Sequence, residues 1–187
     1  MRTAQPKMMT VEEFLELPDD GVDRELILGE LRERPMTRRN PEHSEVMVTI
    51  GRLLGNWAQA QDRPRGRVCG GEAGFRLRRG PETFVGIDIA YVSPEQVAAR
   101  DRKLKFYDGP PVLAVEILSP SDQIGDVVEK VELYGEVGTI VWVVNPYFET
   151  VAIHRPGQKV ETMNTDQEIA GEPYLPGFRA KVAEFFD

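Results

Sequence analysis

Two acids stand alone inside apolar runs. Asp88 interrupts Phe84-Val85-Gly86-Ile87-Asp88-Ile89-Ala90-Tyr91-Val92, and Glu116 interrupts Val112-Leu113-Ala114-Val115-Glu116-Ile117-Leu118, which Ser119-Pro120-Ser121 then stops. Runs of this kind suit strands buried on both faces. A lone carboxylate in such a strand costs several kcal/mol unless it is paired, hydrogen-bonded or bound to a metal. If the two strands pair so that the acids converge, their oxygens make a site for a hard divalent cation such as Mg²⁺, with water completing the shell. Without a metal, one of the paired acids would be raised in pKa and the two would act as general acid and base. As a third alternative, each could be a strand-end charge meeting an arginine.

A cation is available nearby in sequence. Lys130 is flanked by Asp122, Asp126, Glu129, Glu132 and Glu136 on an amphipathic stretch and lies at the border of its apolar face. It can snorkel toward the two acids or form an ordinary i,i−4 pair with Asp126. Glu72 in Gly70-Gly71-Glu72-Ala73-Gly74, and Glu42 or His43 at a helix start, could add a third acid or a base. The structural alternative for these three, a strand-end charge and a capped helix start, weighs more.

Elements that would position these groups can be read in order. Thr10-Val11-Glu12-Glu13 is a capping box opening a short helix that ends before Pro18. Residues 24–33 read as a hairpin turning at Leu28-Gly29 with solvent-facing charges. Asn40 caps a long helix that has Pro41 at its first position and Val46, Ile50, Leu53, Leu54 and Trp57 at helical spacing to about Gln61. Strands are expected at 67–77, 83–92 and 112–118, with a helical turn near 94–99 between the last two. A second helix follows over 122–136, with Ile124, Val127, Val128, Val131 and Tyr134 on one face and Gly138 closing it. Strands at 139–146 and 150–155, a short edge pair and a terminal helix complete the chain. The order helix, three strands, helix, two strands implies an α/β (α+β) fold, a mixed sheet with both long helices packed on it.

At 187 residues, 41% apolar and 29% charged, the chain reads as a single domain over 1–187. The single cysteine, Cys69, has no partner for a disulfide and no zinc-ligand spacing, and no apolar run approaches a membrane span. Together with an N-terminus, Met1 to Thr10, that lacks a signal-peptide core, these features lead to the expectation of a soluble cytoplasmic protein. The net charge of −8 is concentrated at the C-terminal end: residues 1–105 hold 18 Lys and Arg against 17 Asp and Glu, residues 106–187 only 5 against 14. Arginines group at 32, 34, 38 and 39, at 63, 65 and 67, and at 76, 78 and 79, with Arg100, Arg102, Lys103 and Lys105 beyond them. These groups either contact phosphates or are solvated loop charges.

Asp88 in its apolar strand, Val115-Glu116-Ile117-Leu118-Ser119-Pro120-Ser121, Asp126, Lys130 and Tyr134, and Ile140 to Pro146 together resemble the Uma2 family of restriction-endonuclease-like proteins. Met9 to Phe14, Glu25 to Leu31, Pro41-Glu42-His43 and Leu175-Pro176-Gly177-Phe178 fit the same family, so the resemblance covers nearly the whole chain. That family looks like a member of the PD-(D/E)XK nuclease superfamily. The resemblance implies a restriction-endonuclease-like core with an added N-terminal helix and hairpin, and Mg²⁺- (or Mn²⁺-) dependent hydrolysis of nucleic acid, DNA foremost. It implies Asp88, Glu116 and the backbone carbonyl of Ile117 as metal ligands and a lysine beside the attacking water; apart from the resemblance, a homodimer is one form of assembly to be tested. Two positions depart from the superfamily pattern: Ile87 stands where proline is expected, and Leu118 where the lysine is expected. Lys130 is the substitute. The rival reading is a catalytically inactive nuclease-fold module that binds nucleic acid or protein.

Overall fold

The computed structural model describes residues 8–35 and 40–187; Arg38 and Arg39 of the first basic group, and the first seven residues, lie outside the described residues. The chain opens with α1 (Val11–Leu15), where the Thr10 hydroxyl accepts the Glu13 N–H while the Glu13 carboxylate accepts the Thr10 N–H. A hairpin follows, β1 (Val22–Ile27) and β2 (Glu30–Pro35), joined at Leu28 and Gly29, both at positive φ as a two-residue primed turn requires. Next comes α2 (Pro41–Ala60), capped by the Asn40 side chain on the His43 N–H. The middle of the chain supplies β3 (Arg67–Arg78), β4 (Thr83–Val92), α3 (Pro94–Ala99), β5 (Tyr107–Asp108) and β6 (Leu113–Ile117). The remainder is α4 (Ile124–Glu136), β7 (Ile140–Asn145), β8 (Thr150–His154), β9 (Glu161–Met163), β10 (Glu168–Ala170), β11 (Arg179–Lys181) and a 3-10 turn, Val182–Phe185.

Among the described residues nine strands form one mixed sheet in the order β2-β1-β4-β6-β7-β8-β9, with β3 along the other edge of β4 and β5 beside β3. Most pairs are antiparallel; β6 and β7 are parallel, and α4 is the crossover between them. The apolar runs alternate as a doubly covered sheet demands. Ile140, Trp142 and Val144 of β7 join Val46, Ile50 and Leu54 of α2 on one face, while Val141 and Val143 join Leu133 and Tyr134 of α4 on the other. Each fully buried Leu, Ile or Phe contributes about 1.5–3 kcal/mol, so these two layers fix where α2 and α4 sit. A third cluster, Val11, Phe14, Leu26, Phe84 and Phe106, pins α1 and the hairpin to the end of β4.

Three expectations are corrected. Ile124 is 82% exposed and Val128 50%, so the buried side of α4 is Leu133 and Tyr134 with Val127 and Val131 partly covered; the stripe is rotated toward the C-terminal half of the helix. The hairpin charges are not all solvent-facing, because β1 is buried on both faces near its end and carries Glu25 inward with Ile27. Arg76 is 3% exposed and pairs with Glu12 and Glu82, so it braces α1 against the sheet and is out of reach of a phosphate.

Candidate active site

The site arises from an interruption in the sheet. Along one edge of β4, Phe84 pairs with Leu26 of β1, and Ile89 to Tyr91 pair with Val115 to Leu113 of β6. Between these, residues 85–88 of β4 have no strand partner on that edge among the described residues. Side chains take over there. The Asp88 carboxylate accepts the Ile117 N–H at 2.9 Å, standing in for a backbone acceptor at the point where β4 and β6 diverge. Lys130 Nζ donates to the Gly86 carbonyl at 3.3 Å. The N–H and C=O of one extended residue point the same way, so the Ile117 carbonyl opens toward this gap as well.

A cleft of about 280 Å³ occupies the gap, walled by β1, β3, β4, β6 and α4. Asp88 is 5% exposed; its Oδ2 also lies 3.2 Å from His43 Nε2. His43 is itself 1% exposed on the first turn of α2 and does not line the cleft. Glu116 projects toward α4, where Tyr134 Oη donates to Oε1 at 2.6 Å and Lys130 Nζ lies 3.2 Å from the same oxygen. Lys130 meets a second acid, Glu25 Oε1, at 3.0 Å. Asp126 pairs instead with Arg34, which settles the choice left open for Lys130.

Burial pushes the Glu116 carboxyl up to about 7; Asp88 and Glu25 push the same way, and Lys130 and the Tyr134 hydroxyl oppose. For Lys130, burial disfavours the ammonium, but Glu116 and Glu25 outweigh it and hold the pKa above its ordinary value. Burial, then Glu116, raise Tyr134 well above a free phenol, so its hydroxyl stays a donor.

Glu72 is no strand-end charge. Gly70 pairs with Ile89 and Ala73 with Ile87, so Gly71 and Glu72 together oppose the single residue Asp88 in a β-bulge, at φ 78° and 60°. The bulge turns the Glu72 carboxylate across β4 into the cleft wall, where a Cβ added at Gly86 would stand 2.6 Å from its Oε2. Glu42 is exposed and away from the cleft. Leu118, in the lysine's expected place, packs on the α4 side of the core.

Among the described residues lining the cleft, seven are acids and two, Arg34 and Lys130, are cations. That imbalance favours a bound cation. Among the described residues no three His, Cys, Asp or Glu side chains converge on one point as a complete cage. The donor set of two carboxylates and a carbonyl fits a hard ion that keeps several waters, as Mg²⁺ does.

Residues 11–183 match the family model Uma2, described as "Putative restriction endonuclease". The chain belongs to the Uma2 family. Among solved structures, this Uma2 chain is similar to "a putative nuclease belonging to DUF820 from Anabaena variabilis ATCC 29413", with 22% identity, a TM-score of 0.77, and coverage of 95% of this chain and 97% of that one. The likeness shows the fold, a central mixed sheet flanked by helices. No curated protein matches. Membership of Uma2 supports a nuclease, and no described helix is long and apolar enough to cross a membrane.

Proposed function

We propose that this Uma2 chain is a metal-dependent nuclease hydrolysing phosphodiester bonds of nucleic acid, DNA foremost, with Mg²⁺ or Mn²⁺ as the ion. The observation that supports it most is the approach of Lys130 from α4 to within 3.2 Å of Glu116 Oε1, at the gap that Asp88 borders. This approach supports Lys130 as the substitute for the lysine absent from position 118.

Asp88, Glu116 and the Ile117 carbonyl would hold the ion, with Glu72 an additional acid at the wall. The ion, when bound, supplies an activated water and neutralises charge on the phosphate. Lys130 Nζ would donate to an attacking water and would stabilise the charge that develops on the phosphorane oxygens. His43 fixes the Asp88 rotamer from a position buried too deeply to meet substrate. Tyr134 fixes Glu116. Positions held by buried partners of this kind let the acids meet the ion without rearrangement.

The test is calorimetric titration of Mg²⁺ and Mn²⁺ into wild type and Asp88→Ala, paired with cleavage of single- and double-stranded DNA. Wild type should bind the ion and cleave, and Asp88→Ala and Glu116→Ala should do neither well. Absence of divalent binding in wild type, or cleavage that survives both substitutions, sinks the proposal. Metal-independent association with DNA and no turnover would establish the binding-module alternative.

A further inference from the structure

A lysine on a helix is less well fixed than one on the strand that carries the metal acids. Its four-carbon stem has rotamer entropy to lose, and its ammonium is a point charge that any carboxylate can attract. In this cleft the ammonium has three N–H groups and meets three acceptors: Glu25 Oε1 at 3.0 Å, Glu116 Oε1 at 3.2 Å and Gly86 O at 3.3 Å. Two of these belong to the β4–β6 gap. The third comes from β1, in the N-terminal hairpin that precedes the restriction-endonuclease-like core.

We propose that Glu25 is a positioning residue for Lys130: the hairpin carboxylate holds the displaced ammonium over the gap between β4 and β6. The inference rests on the hydrolytic reading of the cleft. Glu25 suits the task because it is 13% exposed and its strand is anchored one residue on, where Leu26 pairs with Phe84 and packs beneath α1. Glu116 alone could draw the ammonium onto the metal-binding carboxylate. With Glu25 pulling from the opposite wall, Lys130 stays between the two acids, beside the β4–β6 gap and within hydrogen-bonding reach of a water in it. The hairpin thus completes the site, and the Glu25-Leu26-Ile27 strand has a chemical purpose beyond packing.

Two measurements test this. The ¹⁵N–¹H signal of the Lys130 ammonium is recorded on metal-free protein and assigned by its loss in Lys130→Met. It should be sharp and slow to exchange in wild type, and broadened in Glu25→Gln, which keeps size and removes charge. Second, Glu25→Gln should lower kcat about tenfold or more with KM for DNA little changed, since orientation of the reacting water is lost and substrate binding is not. A Lys130 signal already exchange-broadened in wild type overturns the clamp, and needs no variant to fold. An unchanged signal and unchanged kcat in Glu25→Gln, with wild type cleaving, overturn the role of Glu25 alone. If wild type cleaves nothing while the ammonium is rigid, the hydrolytic reading fails and the catalytic purpose of Glu25 fails with it.

Discussion

Replacing Lys130 with methionine removes one charge from between two partly buried acids and leaves the stem's packing in place. At 3.0 and 3.2 Å, and with an effective dielectric constant near 20, each attraction is about 5 kcal/mol before desolvation is subtracted. Taking the ammonium and two carboxylates out of water cancels most of that, so the pair itself adds little to stability. Breaking it is different. Glu25 and Glu116, 13% and 15% exposed, would be left facing each other, which costs about 3–5 kcal/mol. The variant has one escape, to bind protons. Glu116 is pushed up to about 7 with Lys130 present and moves higher without it. Because the folded-state pKa of Glu116 lies above its unfolded value, the folded variant binds more protons; its stability is greatest in acid and is lost as pH rises through that pKa. Urea unfolding of wild type and Lys130→Met, with EDTA, at pH 5.5 and 8.5 should therefore show a loss of about 3–5 kcal/mol at the higher pH and less than half of that at the lower. In a chain of this size that corresponds to a fall in Tm of roughly 6–20 °C at the higher pH. Adding Glu25→Gln should recover about half of the loss. A penalty under about 1 kcal/mol at pH 8.5, with a pH profile parallel to wild type, would refute the buried-charge argument.

Tyr134→Phe deletes the 2.6 Å donor to Glu116 and should cost about 1.5–3 kcal/mol in urea unfolding near neutral pH, with no change in m-value. His43→Leu should abolish calorimetric Mg²⁺ binding while His43→Gln, whose amide can reach Asp88 Oδ2, retains part of it; equal effects from the two would exclude a hydrogen-bonding role. Burial lifts the Cys69 thiol to about 11, so its reaction with a disulfide reagent at pH 8 should run roughly a hundredfold slower than that of an unperturbed thiol. Its raised pKa also means that stability falls as pH climbs from about 9 through 11, which pH-dependent unfolding can check.

The two acids were legible because a charge inside an apolar strand violates the pattern around it, and Lys130 because it was the odd cation on an acidic helix. The caps of α1 and α2 and the Leu28-Gly29 turn follow from local chemistry alone, which is why the sequence places them well. Glu25 was hidden because the hairpin looks amphipathic; only its spacing of two from the buried Ile27 marks it as inward. Glu72 was hidden because a bulge takes it out of the strand's alternation, and its one local sign is the glycine pair at 70 and 71 that admits positive φ. The burial of His43 and the Tyr134 hydroxyl contact depend on how α2 and α4 rotate against the sheet, which long-range packing decides. The same dependence misled the reading of α4, where Ile124 and Val128 fit the apolar stripe by spacing and yet face solvent.

The two-for-one insertion at Gly71 and Glu72 also sits between two halves of β3 that keep one face pattern across it, with Cys69 before the bulge and Ala73, Phe75 and Leu77 after it all on the α4 side. Val68 lies toward the α2 side and Cys69 toward the α4 side, while Phe75 and Leu77 are fixed beyond the bulge. Deleting Gly71 would heal the ladder and force a choice. Either the first half of β3 slips by one residue, exchanging the faces of Val68 and Cys69, or Glu72 leaves the wall of the cleft. A one-residue deletion at this point therefore edits the cleft wall and the core together, whereas a substitution at Glu72 edits the wall alone.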